Sequence, residues 1–167
     1  MVIHTYEKKI VIVGLFATGK TTLVNKLLNE QQVMQDHEYK VYHTDDFLQY
    51  DRKLQMRFLL NKINLDKPDR YIIEGAAAYR LLLSGVKENN FYPDLVIQCL
   101  ASDGTRQERY MQPERLNGQR HALDKKGMKD FKAFDNMYRK MWNEYMSMPK
   151  KQEPRIIHYI TEEGYNN

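Results

Sequence analysis

The sequence predicts an α/β fold: five parallel strands in one sheet, covered by helices on both faces to give a three-layer α/β/α sandwich. Three observations carry this. Apolar and β-branched runs alternate with amphipathic helical patterns along most of the chain. The runs Ile10 to Val13 and Leu95 to Leu100 are too apolar for half-exposed strands and suit the middle of a parallel sheet. The first of them passes through a glycine-bounded turn, Gly14 to Gly19, straight into a helical pattern with Leu23, Leu27 and Leu28 on one face. At 167 residues the chain fits a single domain spanning 1–167.

The elements follow in order. After the first strand, a helix is expected to end near Gln31, and Tyr39 to His43 has the composition of a second strand. Gln49 to Ile63 reads as a helix with Leu54, Phe58 and Leu60 inward and the cations Arg52, Lys53, Arg57 and Lys62 between them. Arg70 to Gly75 is a strand ending in Glu74, and Ala76 to Leu83 is a short apolar helix closed by Gly85. Pro93-Asp94 introduces the fourth strand. The segment of about 102–127 then changes character: Arg106, Arg109, Arg115, Arg120, Lys125 and Lys126 outnumber the acids, and Pro113, Gly118 and Gly127 interrupt a long helix, as in a small basic lid. From Met128 to Met146, Phe131, Phe134, Tyr138, Met141, Trp142 and Tyr145 recur at spacings of three and four, the pattern of a core-facing helical stripe. Arg155 to Ile160 is the last strand, followed by a frayed tail.

Charge and composition narrow the function. A net charge of +4 and a pI of about 9.0 favour anionic partners, either nucleoside triphosphates or nucleic acid. The one cysteine, Cys99, falls inside an apolar strand and reads as a small buried hydrophobe in a reducing compartment. The N-terminus lacks the shape of a signal peptide, and no apolar run approaches the ~18 residues of a membrane span. A soluble cytoplasmic protein without membrane association is expected.

Gly14 to Thr21 fits G-x-x-x-x-G-K-[ST] in its required setting between strand and helix. The glycines let successive N–H groups turn inward, and the following helix directs its positive end at the same point. Gly14, Ala17, Thr18, Gly19, Lys20, Thr21 and Thr22 are therefore the candidate phosphate contacts, with Lys20 reaching the β- and γ-phosphates of ATP and Thr21 offering its hydroxyl to Mg²⁺. Asp45 and Asp46 follow the second strand, on the sheet edge where open α/β folds bind ligands. Glu74 ends the third strand, where a Walker-B carboxylate belongs, as a metal or substrate contact. Arg52 is a further substrate candidate, and Arg106, Arg109, Arg115 and Arg120 are lid cations that could neutralise charge on a transferring phosphoryl group. A GTPase switch is excluded by its missing elements: Asn61-Lys62-Ile63-Asn64 lacks the required Asp, and Asp124-Lys125-Lys126-Gly127 follows no strand.

GLFATGKTT at 14–22, Asp-Asp-Phe at 45–47, IIEG at 72–75 and the arginines of 106–120 together resemble the P-loop kinase group of nucleoside and nucleotide kinases, across nearly the whole chain. The resemblance implies a P-loop NTPase fold and an ATP- and Mg²⁺-dependent kinase. In uridine and nicotinamide riboside kinases, and similarly in phage-type polynucleotide kinases, the first acid after the second strand is the general base, which places that role on Asp45. Thr21, Asp45 and Glu74 would then share the metal. The polynucleotide kinases carry an Arg three residues after that Asp, where this chain has Leu48. Independently, a hydroxyl that attacks a phosphoryl group loses a proton and needs a carboxylate within reach, whereas a phosphate acceptor does not. The favoured acceptor is thus a hydroxyl on a nucleoside, nucleotide or related small molecule. A hydroxyl on DNA or RNA, at a 5′ end or a modified base, is the second reading, and a nucleotide-binding regulator without turnover is the third.

Overall fold

The structure, a computed structural model, describes residues 1–33, 38–112 and 125–161. Its elements are β1 (Lys9–Val13), α1 (Lys20–Val33), β2 (Lys40–His43), a 3₁₀ turn (Thr44–Phe47), α2 (Gln55–Asp66), β3 (Tyr71–Glu74), α3 (Ala78–Ser84), β4 (Leu95–Leu100), α4 (Asp103–Tyr110), α5 (Lys125–Ser147) and β5 (Arg155–Ile160). Along β1 successive side chains alternate between the two faces of the sheet, and Ile10 to Val13 are all fully buried, so both faces must be covered. On one face Leu23, Val24 and Leu27 of α1 pack on Ile10, Ile12, Ile72 and Ile97. On the other, Met56 and Leu59 of α2, Leu81 of α3 and Tyr138 and Tyr145 of α5 pack on Val11, Val13, Ile73 and Val96. Burying each of these aliphatic side chains contributes about 1.5–3 kcal/mol. The expected α/β architecture with a five-stranded parallel sheet is the one observed, in the order β2-β3-β1-β4-β5.

That order positions the site. The connection from β1 reaches β2 by passing β3 on the α1 face, while the connection from β3 reaches β4 by passing β1 on the opposite, α3 face. The loops leaving β1 and β3 therefore diverge and open a crevice at the carboxyl ends of the strands.

Several boundaries differ from the sequence expectation, each for a tertiary reason. Residues 44–54 form a 3₁₀ turn and further turns, with Leu54 and Gln55 N–H groups both bonded to the Asp51 carbonyl, so α2 starts at Gln55 rather than Gln49. Its buried stripe is Met56, Leu59 and Ile63, leaving Leu54, Phe58 and Leu60 half-buried. Gly85 caps α3 as expected, but the chain continues from it through a wider turn to Asn90, which takes the left-handed conformation at φ 50°, and Gly85 is small because a Cβ there would meet the Phe91 carbonyl oxygen at 2.7 Å. Gly127 lies inside α5, and Phe134 of the aromatic stripe is exposed although its ring edge meets Phe16. The lid segment begins with an ordered helix, α4, whose N-terminal amide at Thr105 is capped by the Ser102 hydroxyl. Residues 113–124 of it, including Pro113, Arg115, Gly118 and Arg120, lie outside the described residues.

Candidate functional site

The turn after β1 wraps as the glycine spacing predicts. Ala17 and Gly19 adopt positive φ values of 62° and 90°, which turns the backbone back on itself. Gly14 is buried against Cys99 and Thr18, so any side chain there would displace the Thr18 hydroxyl. Thr18 in turn donates to the Leu15 carbonyl at 2.9 Å, and the Lys20 ammonium donates to the same oxygen at 2.9 Å. Gly14 and Thr18 thus shape the loop from beneath. The Leu23 N–H to Gly19 carbonyl bond starts α1, whose N-terminus faces the loop.

Parallel register brings the second half of the site to the same edge. His43 and Glu74 are neighbours across β2 and β3, and Ile12 of β1 is paired with Glu74. Gly75, at φ 145°, permits a close approach, since a Cβ would collide with the Thr44 hydroxyl. The result is a pocket of about 270 Å³ lined by Ala17, Gly19, Lys20, Thr21, Thr22, Asp45, Glu74, Gly75 and Ala76. Asp45 is exposed, and its carboxylate makes no hydrogen bond or ion pair among the described residues. Glu74 is buried, and one carboxylate oxygen shares a 2.6 Å hydrogen bond with His43 Nδ1. Asp46, its neighbour in the 3₁₀ turn, does not line this pocket.

The donor set suits a hard cation. Among the described residues no cluster of three or more His, Cys, Asp or Glu forms a complete metal cage. Thr21, Asp45 and Glu74 instead offer oxygen donors beside the phosphate loop, and Mg²⁺ is commonly held by one or two carboxylates completed by substrate phosphates and water. The loop amides and Lys20 likewise fit a triphosphate.

The α4 arginines do something other than the lid expectation. Arg106 is 1% exposed, and its guanidinium is bidentate to Asp135 of α5 at 2.8 and 2.6 Å while Nε donates to the Phe16 carbonyl at 3.0 Å. With both edges engaged it does not line the pocket of Lys20 and Asp45, and it meets the loop through the Phe16 carbonyl instead. Arg109 donates to the Ala17 carbonyl at 3.3 Å and to Thr161 at 3.0 and 2.9 Å. It lines a recess of about 310 Å³ that also includes Gly19, Thr22 and Lys26 but not Asp45. Two arginines one helical turn apart therefore grip consecutive loop carbonyls. Arg52 is exposed, donates to Met137 Sδ at 3.0 Å, and lines a separate cavity rather than the phosphate pocket. Sequence reasoning missed His43, Asp135 and Thr161, whose partners lie 29 to 52 positions away and leave no local signal.

The fold is similar to that of solved structures. A deoxyadenosine kinase from M. mycoides, with products dCMP and a flexible dCDP bound, superposes with a TM-score of 0.53 over 92% of this chain and 89% of that one, at 12% identity. The same enzyme with bound dATP gives 0.52 over 93% and 90%, at 11% identity. At such identities the likeness establishes the fold. No family model and no curated protein sequence matches the chain.

Proposed function

We propose that the protein is an ATP- and Mg²⁺-dependent phosphotransferase that moves the γ-phosphoryl group to a hydroxyl of a nucleoside-like acceptor. The observation that carries this reading is the shared pocket: Asp45, a carboxylate without a partner among the described residues, lines the same space as Lys20, Thr21 and Glu74. The loop amides and Lys20 hold the β- and γ-phosphates, Lys20 exchanging its bond to the Leu15 carbonyl for phosphate oxygens. Thr21, Asp45 and Glu74 would hold Mg²⁺, which supplies charge neutralisation across the phosphates when bound. Asp45 takes the proton of the acceptor hydroxyl as that oxygen bonds to the γ-phosphorus and the bond to the β,γ-bridging oxygen breaks, releasing ADP. His43 orients Glu74, and the recess beside Arg109 receives the nucleoside part of the donor. Arg106 keeps the loop in shape through the Phe16 carbonyl.

The test is acceptor-dependent ADP release with nucleosides, nucleotides and oligonucleotides offered in turn. At least one should support turnover, and Lys20→Ala should abolish it. ATP binding with no acceptor-dependent release across the whole panel would favour a nucleotide-binding regulator and overturn the enzymatic reading.

A further inference from the structure

Between α2 and α3 lies a cavity of about 690 Å³, larger than the phosphate pocket and within the range of ligand sites. Four cations line it, Arg52, Lys53, Arg57 and Arg80, against one acid, Glu88. None of the four forms an ion pair with a carboxylate among the described residues. Elsewhere in the molecule comparable arginines are paired: Arg106 with Asp135, and Arg155 with Glu7. Arg80 is the most confined of the set. Its Nη1 donates to the neutral Gln55 Oε1 at 2.8 Å, whereas its Nε is buried without a hydrogen-bond partner. Burial first, and the nearby Arg52 charge as well, push its guanidinium below the usual arginine range. A half-buried guanidinium such as that of Arg80, with another cation near it and no carboxylate paired to it among the described residues, is costly unless an anion joins it.

The cavity is tied through Gln55 to the segment that carries Asp45. Gln55, which holds Arg80, also donates from Nε2 to the Leu48 and Tyr50 carbonyls at 3.3 and 3.0 Å, and so clamps the segment that follows Asp45-Asp46-Phe47. Arg80 itself stands four residues beyond Ala76, which lines the phosphate pocket.

We propose that this cavity is an anion subsite that binds a phosphate group already carried by the acceptor, so that the acceptor is a phosphorylated hydroxyl compound, a nucleotide unit rather than a neutral nucleoside. The word acceptor rests on the phosphotransferase reading above. The anion subsite itself rests on Arg80, Arg57 and their neighbours. Arginine forks match phosphate oxygens through charge-assisted, frequently bidentate hydrogen bonds. The phosphate chemistry is common to a mononucleotide and to the backbone of an oligonucleotide.

Binding is measured by calorimetry with the phosphate loop saturated by the non-hydrolysable analogue AMP-PNP and Mg²⁺, so that added phosphates cannot compete there. The probes are the four common deoxynucleosides, their 3′-monophosphates, and short single-stranded oligonucleotides with a 5′-hydroxyl. At least one phosphorylated probe should bind about tenfold or more tightly than its parent nucleoside. That advantage should fall to within about twofold in Arg80→Gln and in Arg57→Gln, and weaken with added salt. Arg57 is exposed and unpaired among the described residues, so its variant keeps the test decisive if Arg80→Gln loses its fold. Equal binding of nucleosides and phosphorylated probes, or a preference unchanged in both folded variants, overturns the proposal. Tight binding of oligonucleotides alone identifies the phosphate as part of a polynucleotide, and equal binding of mononucleotides identifies a small molecule. Phosphate-dependent binding without any phosphoryl transfer leaves the subsite standing and removes the kinase reading. Transfer to nucleosides with no phosphate preference does the reverse.

Discussion

At the scale of single residues the proposed site divides into groups assigned to the ligand and groups that hold the loop. Asp45 is assigned to the first: exposed and without a partner among the described residues, it lies in the pocket with Lys20 and Thr21. Asp45→Asn keeps the shape and removes the proton acceptor, so kcat for acceptor phosphorylation should fall about 10²- to 10⁴-fold. Affinity for AMP-PNP, read by calorimetry, should change little, and an unaltered kcat would remove Asp45 as the base. Arg106 belongs to the second group. Replacing it by Leu strands the buried Asp135 carboxylate, and an uncompensated buried charge costs about 3–5 kcal/mol. Urea denaturation should register that loss, and Arg106→Leu with Asp135→Leu should recover a large part of it. Activity should still be impaired in the double variant, because the Phe16 carbonyl loses its donor.

At the scale of elements, the carboxyl end of α2 is tied to β2 through Asp66. A carboxylate in the last turn of a helix opposes the helix dipole and needs cations nearby. Here Lys40 donates to it at 2.8 Å, Tyr42 donates at 2.8 Å, and Lys62 stands at 3.3 Å. The Lys40 bond, then the Tyr42 bond, lower its pKa from 3.8 to about 2. A carboxyl more acidic in the folded than in the unfolded chain adds stability that is complete above the unfolded value and disappears as pH falls through the folded one. Asp66→Asn should therefore be less stable than the native chain at pH 7, with the difference shrinking below about pH 4 and vanishing near pH 2. Denaturation midpoints measured across that range test it, and a difference independent of pH would show that the Asp66 charge is not what joins these elements.

At the scale of the whole molecule, the central strands carry the fold and the divergence around β1 carries the site. Cys99 reports on the first. Burial within β4 pushes its thiol up to about 12 and packs it behind Gly14. Its modification by a thiol reagent at neutral pH should be negligible in the native state and should follow the rate of global unfolding as denaturant is added. Fast labelling without denaturant would mean that the β1–β4 centre opens locally. The same centre explains why the phosphate loop is well held, since α4, α5 and the end of β5 reach it through Arg106, Asp135, Arg109 and Thr161.

What the amino-acid sequence determined alone is what depends on neighbours along the chain. β4 and β5 fall where alternation and apolar runs place them, and Gly14 to Thr21 announces a phosphate loop because its turn is built from eight contiguous residues. Asp45 and Glu74 were legible as strand-end acids for the same reason. The tertiary structure decided the rest. The order β2-β3-β1-β4-β5 set Asp45 beside the loop, and strand register joined His43 to Glu74. Packing turned Arg106 inward to Asp135, moved the start of α2 to Gln55, and gathered Arg52, Arg57 and Arg80 around one cavity. These outcomes rest on contacts between residues far apart in the chain, and their partners are chosen by the fit of whole faces, which no short stretch of sequence contains.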